Sequence, residues 1–277
     1  MDTSIADSLR RIAEALERIA PPRPAEPDFS AATFFRFDAA TNAFQPAETR
    51  ALALDLIVGV DNQKAQVTAA LRRFAEGLPG NHLLLWGARG TGKSSITKAA
   101  VAAEAVGSPT LKLVELDRDH LPALPGLFDR LRARPERFVV FCDDLSFEAG
   151  ADQAKSLKSA LEGGVGGPPD NVLFVATSNR RHLAPERHDE AAGMLAAAEQ
   201  AEETVSVSDR FGLWIGFPSM DQLTYLAAVR GYAERFGLLD AHLDRRALQW
   251  AQRRGGRSGR VAWQFIRDLA GERGVQV

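Results

Sequence analysis

The apolar positions of this chain change their period along its length. Ile5, Leu9, Ile12, Leu16 and Ile19 step by four and three residues, which predicts a one-sided helix over residues 1–20. The run PPRPAEP at 21–27 ends that helix and keeps the backbone extended. Aromatic and polar residues then alternate in TFFRFDAATNAFQP, which predicts a small hairpin turning at DAATN within a linker over 21–49. Beyond residue 50 the pattern changes. The short apolar runs HLLLWG, LKLVEL, FVVFC, NVLFVATS and FGLWIGF are separated by helix-length segments such as NQKAQVTAALRRFAEG. Strands without polar alternation are covered on both faces, so residues 50–217 predict an α/β domain with a parallel sheet between helical layers. After Pro218 the strand-like runs stop, and three helical segments predict a small all-helical lid over 218–277. The alanine-rich DEAAGMLAAAEQAEE at 189–203 reads as a helix or an insertion.

Composition changes this picture little. With 45% hydrophobic and 25% charged residues, the chain is ordinary for a globular protein. The single cysteine, Cys142, allows no internal disulfide and fits a reducing compartment, so a cytoplasmic location is expected. No apolar stretch approaches the ~20 residues of a membrane span, and the N-terminus mixes acids with its bases, unlike a signal peptide. A net charge of −2 argues against a wholesale nucleic-acid surface. The lid arginines, Arg245, Arg246, Arg253, Arg254, Arg257, Arg260 and Arg267, leave a local patch open, but a solvated helix face explains most of them. The N-terminal helix either packs on its own domain or engages a second copy or a protein partner. Its two heptads are too short for a coiled coil alone.

The chemistry concentrates in two places. WGARGTGKSS follows a predicted strand and opens a predicted helix, and it fits G-x-x-x-x-G-K-[ST] through Gly87, Gly92, Lys93 and Ser94. Backbone N–H groups across Gly87, Ala88, Arg89, Gly90, Thr91, Gly92, Lys93, Ser94 and Ser95 would surround phosphate oxygens, and the helix N-terminus would add partial positive charge. Lys93 would reach the β- and γ-phosphates, and the Ser94 hydroxyl would ligate Mg²⁺. FVVFCDDLSF ends in adjacent carboxylates, Asp143 and Asp144, each of which disfavours ionisation of the other. A magnesium ion held opposite Ser94 by Asp143 removes that conflict and leaves Asp144 to orient or deprotonate water. Cys142 reads as strand packing, and the five histidines show no zinc-ligand spacing. Trp250 and Trp263 read as lid core.

Together, WGARGTGKSS, FCDDLSFE, TSNRRHL, SDRFGLW and GGRSGR resemble, in this order, the AAA+ ATPases, over roughly residues 50–277. Within them the chain looks like an uncharacterised bacterial group of single-module ATP-binding proteins, catalogued as a domain of unknown function. The resemblance implies a P-loop NTPase sandwich with a helical lid, ATP rather than GTP, and a homo-oligomer. It implies that Asn179 is sensor 1 and that Arg210 is an arginine finger acting on a neighbouring subunit, with Arg180 and Arg181 as rivals. It also implies that Arg260 is the lid sensor, with Arg257 as alternative, and that Gly59 and Val60 form the turn beside adenine. Most such proteins carry Asp-Glu where this chain has Asp143-Asp144. The shorter acid brings fast turnover into question. The functions in view are an ATPase that remodels or assembles a protein partner, a nucleotide-gated switch with little turnover, and, ranked last, a DNA-associated loader.

Overall fold

The computed structural model describes residues 3–19, 27–49, 51–145, 151–162, 167–179 and 209–277. Every apolar run expected to be a strand is one. The strands are β1 (Phe34–Asp38), β2 (Ala43–Pro46), β3 (Leu83–Gly87), β4 (Leu111–Glu115), β5 (Arg137–Cys142), β6 (Val172–Ser178) and β7 (Leu213–Phe217). They form one sheet in the order β2-β1-β4-β5-β6-β3-β7. β1 and β2 are antiparallel, and all other neighbours are parallel.

Successive strand residues point to opposite faces, and here both faces are dry. In β5, Phe138, Val140 and Cys142 enter one core cluster while Val139 and Phe141 enter the other. β6 repeats this, with Phe174 and Ala176 on one side and Leu173 and Val175 on the other. Helices α2 (Asp61–Ala75) and α3 (Lys93–Gly107) close one face through Leu71, Phe74, Ile96 and Ala100. Helices α4 (Leu124–Arg132) and α5 (Ala151–Glu162) close the other through Leu127, Phe128, Leu131 and Leu157. The result is the expected three-layer sandwich. Each fully buried phenylalanine of the sheet contributes about 1.5–3 kcal/mol relative to exposure.

The hairpin forms where the sequence predicts it, but as the edge of this sheet rather than as a separate linker element. β1 pairs in parallel with β4, with Phe34 opposite Leu113. Phe35 is covered by Phe29, which meets Phe35, Phe44 and Phe138 edge-on at 4.9, 5.2 and 4.8 Å between ring centres, while Phe37 packs 5.2 Å from Phe44. The Asp38 carboxylate fixes the turn by accepting from the Ala40 N–H at 2.9 Å and the Thr41 hydroxyl at 2.7 Å.

The lid consists of α6 (Gln222–Arg235), α7 (Leu243–Arg253) and α8 (Gly259–Glu272) around Tyr225, Val229, Ala247, Phe265 and Leu269. Asp221 caps α6 by accepting from the Thr224 N–H at 2.8 Å, and Ser258 caps α8 by accepting from the Val261 N–H at 3.2 Å. The segment before α2 joins the two bodies. Its Leu52, Leu56 and Val58 pack on the lid cluster, and Ile57 packs in the sheet cluster. Helix α1 (Thr3–Ile19) forms as the spacing predicts, yet Ile5, Leu9 and Ile12 remain more than half exposed. Among the described residues no helix is long and apolar enough to cross a membrane. The alanine-rich segment at 189–203 lies outside the described residues.

His82 ties β3 to β6 by accepting the Phe174 N–H on Nδ1 at 3.1 Å. Burial pushes its pKa down from 6.5 to about 4, so the folded protein holds it neutral. The unfolded chain therefore binds one more proton between those values. The stability from His82 is complete above pH 6.5 and is lost as pH falls towards 4. Urea unfolding followed from pH 7 to pH 4 is expected to show a loss on the order of 3 kcal/mol from this residue. His82→Asn, already less stable at pH 7, is expected to lose that part of the slope; an unchanged slope would contradict this account.

Candidate nucleotide-binding site

The strand β3 ends at Gly87 and the chain re-enters helix at Lys93, so residues 88–92 turn across the carboxyl edge of the sheet. Gly87 takes φ +141°, and a Cβ there would lie 2.2 Å from the Phe217 carbonyl oxygen in β7. Gly90 takes φ +74°, and a Cβ there would lie 2.8 Å from Ser258 Oγ at the start of α8. The loop thus needs glycine both for its own turn and to let the sheet and the lid approach it. No side chain caps the start of α3, whose first residues Lys93, Ser94 and Ser95 line a cavity of about 510 Å³. Uncapped N–H groups at a helix start facing an open cavity suit an anion.

Lys93 is buried, and its ammonium donates to the carbonyls of Gly87 at 2.7 Å and Ala88 at 2.8 Å and to Asn179 Oδ1 at 3.3 Å. Burial lowers its pKa; Asp143 and Asp144 oppose that, while Arg260 and Arg89 add to it. Gly87 and Ala88 thus give their carbonyls to Lys93, and Arg89, Gly90, Thr91 and Gly92 line the cavity.

The two carboxylates part company at the end of β5. Asp143 Oδ1 accepts from the Ser94 hydroxyl at 2.6 Å and from the Thr177 hydroxyl. Two adjacent hard oxygen donors, Ser94 Oγ and the Asp143 carboxylate, form a set that fits Mg²⁺. Asp144 turns the other way. Its φ of +55° is left-handed, a region that aspartate visits more readily than most residues. That gives a backbone reason for aspartate where the longer glutamate is commoner. Its backbone N–H donates to Thr177 Oγ1 at 2.9 Å, its Oδ1 accepts from the Asn179 amide, and Arg118 Nη1 lies 3.6 Å from its Oδ2. Asp143, Asp144 and Asn179 all line the same cavity.

Of the lid arginines, Arg260 lines the cavity and Arg257 does not; the Arg260 N–H donates to the Gly90 carbonyl at 3.4 Å. Arg257 lies on the side of Asp221, whose carboxyl is held below the usual range chiefly by Thr224 and more weakly by Arg257. Arg210 does not line the cavity, and its guanidinium pairs with Glu162 at the end of α5 rather than with Asp209. Arg180 and Arg181 lie outside the described residues. Gly59 and Val60, the expected adenine-side turn, lie beside the main cavity rather than in its wall. They line a smaller neighbouring cavity with Thr224 and Pro218, and Gly59 lies close against Thr224 of α6. The residues of that segment facing the main cavity are Leu52, Ile57 and Val58, opposite Met220, Tyr232 and Trp263. Trp263 is thus both lid core and cavity wall, three residues along α8 from Arg260 and on the same helix face.

Sequence reasoning missed Thr177 and Arg118. Thr177 sits inside NVLFVATS, the one hydroxyl in an apolar run before the terminal serine, and that oddity was its signal. Arg118 carried none, since one arginine after a strand has no pattern.

A family model described as "Protein of unknown function (DUF815)" matches residues 30–273. The fold is also similar to solved structures. The Orc1 protein of Aeropyrum pernix, in complex with DNA, aligns with a TM-score of 0.56 and 16% identity over 80% of this chain and 65% of that one. A point mutant of RuvB from Thermotoga maritima aligns with a TM-score of 0.53 and 18% identity over 79% of this chain and 66% of that one. The chain therefore spans about two thirds of the length of each. No curated protein matches it. The shared architecture is the AAA+ fold, as the resemblance implied.

Replacing Thr177 by valine keeps the shape but removes the hydroxyl between the two acids, leaving the Asp144 N–H unpaired. The free energy of unfolding in urea is expected to fall by about 1–3 kcal/mol at unchanged slope. A change within a few tenths of a kcal/mol would mean that the hydroxyl does not tie β5 to β6.

Proposed function

The chain belongs to the DUF815 family and has an AAA+ fold, and on that footing we propose that it is a Mg²⁺-dependent ATPase that couples hydrolysis to assembly or remodelling of a protein partner. One observation carries this reading: Ser94 meets Asp143 at 2.6 Å inside a cavity that also gathers Lys93, Asp144, Asn179 and Arg260.

Each residue then has one task. The loop N–H groups and Lys93 bind the β- and γ-phosphates, whose charge favours the ammonium against the burial that opposes it. Ser94 and Asp143 would hold Mg²⁺, which would neutralise charge developing on the phosphates. Asp144, steadied by Asn179, orients a water molecule and accepts its proton as the water oxygen bonds to the γ-phosphorus and the β–γ bridging oxygen departs. Arg260 carries the state of the γ-phosphate into α8, and the lid responds as one body because α6, α7 and α8 share one core. Leu52, Ile57, Val58 and Trp263 provide an apolar wall for the base. Arg210 lies away from its own cavity, which suits action on a neighbouring subunit in a homo-oligomer.

A second reading, a nucleotide-gated switch, draws on the engagement of Asp144. Its carboxylate is already held by Asn179 and faced by Arg118, which favours slow turnover until something rearranges them.

Nucleotide binding and steady-state hydrolysis, measured together, separate the two. Lys93→Ala is expected to lose ATP binding. Asp144→Ala is expected to bind ATP yet hydrolyse it about 10²-fold or more slowly, the usual contribution of a general base. Arg210→Ala is expected to bind ATP and lose about 10³-fold or more. Tight ATP binding with a rate near background in the unmodified chain at every concentration would favour the switch. Equal rates in the unmodified chain and Asp144→Ala would sink the catalytic assignment.

A further inference from the structure

Arg210 and Glu162 sit on different elements. Glu162 is the last residue of α5, and Arg210 lies in the turn that precedes β7. The next residue, Phe211, is buried and packs its ring 6.0 Å from that of Phe174 in the sheet, so the Arg210 backbone is anchored. Its side chain is not: both members of the pair are partly exposed, at 44% for Arg210 and 33% for Glu162. The Glu162 carboxylate also has a second cation, Lys158 Nζ at 3.9 Å, one helical turn earlier on α5.

We propose that Glu162 is a latch on Arg210, holding the guanidinium within its own subunit until a neighbour's nucleotide takes it over. This rests on the reading of Arg210 as the residue that acts in the next subunit. The charges give the latch its logic. Arg210 bound to a carboxylate is already neutralised, and a γ-phosphate can recruit it only by displacing Glu162. Leaving Glu162 beside that phosphate would place like charges together, so the carboxylate must part from the guanidinium as the phosphate arrives. Lys158 makes the parting easier, because Glu162 keeps a cation when Arg210 leaves. The position of Lys158 also fixes a sign. As a competitor for Glu162 and a like charge to Arg210, it weakens the hold on Arg210.

The test uses the full chain and reads ATPase rate against protein concentration. Glu162→Gln frees Arg210 and is expected to lower the half-activating concentration about two- to fivefold, the size of a solvent-exposed ion pair. Lys158→Gln strengthens the hold and is expected to raise it. The opposite directions separate a latch from a general loss of surface charge. Arg210→Ala mixed with Lys93→Ala, each inactive alone, tests the underlying reading, since only a residue acting between subunits restores activity in the mixture. Restored activity with no opposed shifts overturns the latch and leaves the intersubunit role of Arg210 standing. No restoration overturns both. A lower rate in Glu162→Gln overturns the latch by making Glu162 a residue that positions Arg210 productively. A rate independent of concentration in every variant overturns it too, because no unassembled state is left for it to act in.

Discussion

The parallel pairing of β5 with β6 is the constraint on which the site depends. With Cys142 opposite Ala176, the chain beyond each strand emerges at the same edge, and Thr177 comes level with the two aspartates. Its hydroxyl donates to Asp143 and accepts from the Asp144 N–H, so one side chain settles the directions of both acids. A slip of one residue would place that hydroxyl on the opposite face. The register is secured by apolar side chains that must enter their own cluster on each face, which makes the core the agent that positions the carboxylates.

A second join runs between the sheet and the lid. The segment before α2 belongs to both cores, with Ile57 in one and Leu52, Leu56 and Val58 in the other. The glycine-rich loop after β3 touches the lid directly, where Gly90 meets Ser258 and the start of α8. A ligand in the cavity would therefore touch the loop, the bridging segment and α8 at once. The three lid helices share a single core, so a contact made at α8 bears on all of them.

Lys93 and Asp144 of the cavity, and Arg210 outside it, already have partners within the chain. Lys93 rests on carbonyls, Asp144 on Asn179 with Arg118 beside it, and Arg210 on Glu162. Such partners are weak where solvent reaches them. The buried ammonium of Lys93 is the exception. Its carbonyl partners offset the burial cost in advance, which fixes its position before any anion arrives.

The strands, the helices and the glycine-rich turn before Lys93 were legible in the sequence because each is written locally. Apolar runs of strand length, glycine spacing before Lys93 and the adjacent acids of FVVFCDDLSF all lie within a few residues. What lay between distant segments was not legible. The hairpin's place at the sheet edge depends on Phe29 meeting Phe138, more than a hundred residues away. The cavity wall at Leu52, Ile57 and Val58 faces Met220, Tyr232 and Trp263, more than 160 residues further along the chain. Arg118 beside Asp144 and Glu162 beside Arg210 are likewise meetings of separate elements. The sequence by itself determined that residue types suited to phosphate and metal chemistry stand side by side, since each group is a run of adjacent residues. Only the tertiary structure decided which other groups face them, because pairing across the fold depends on packing that no local pattern records.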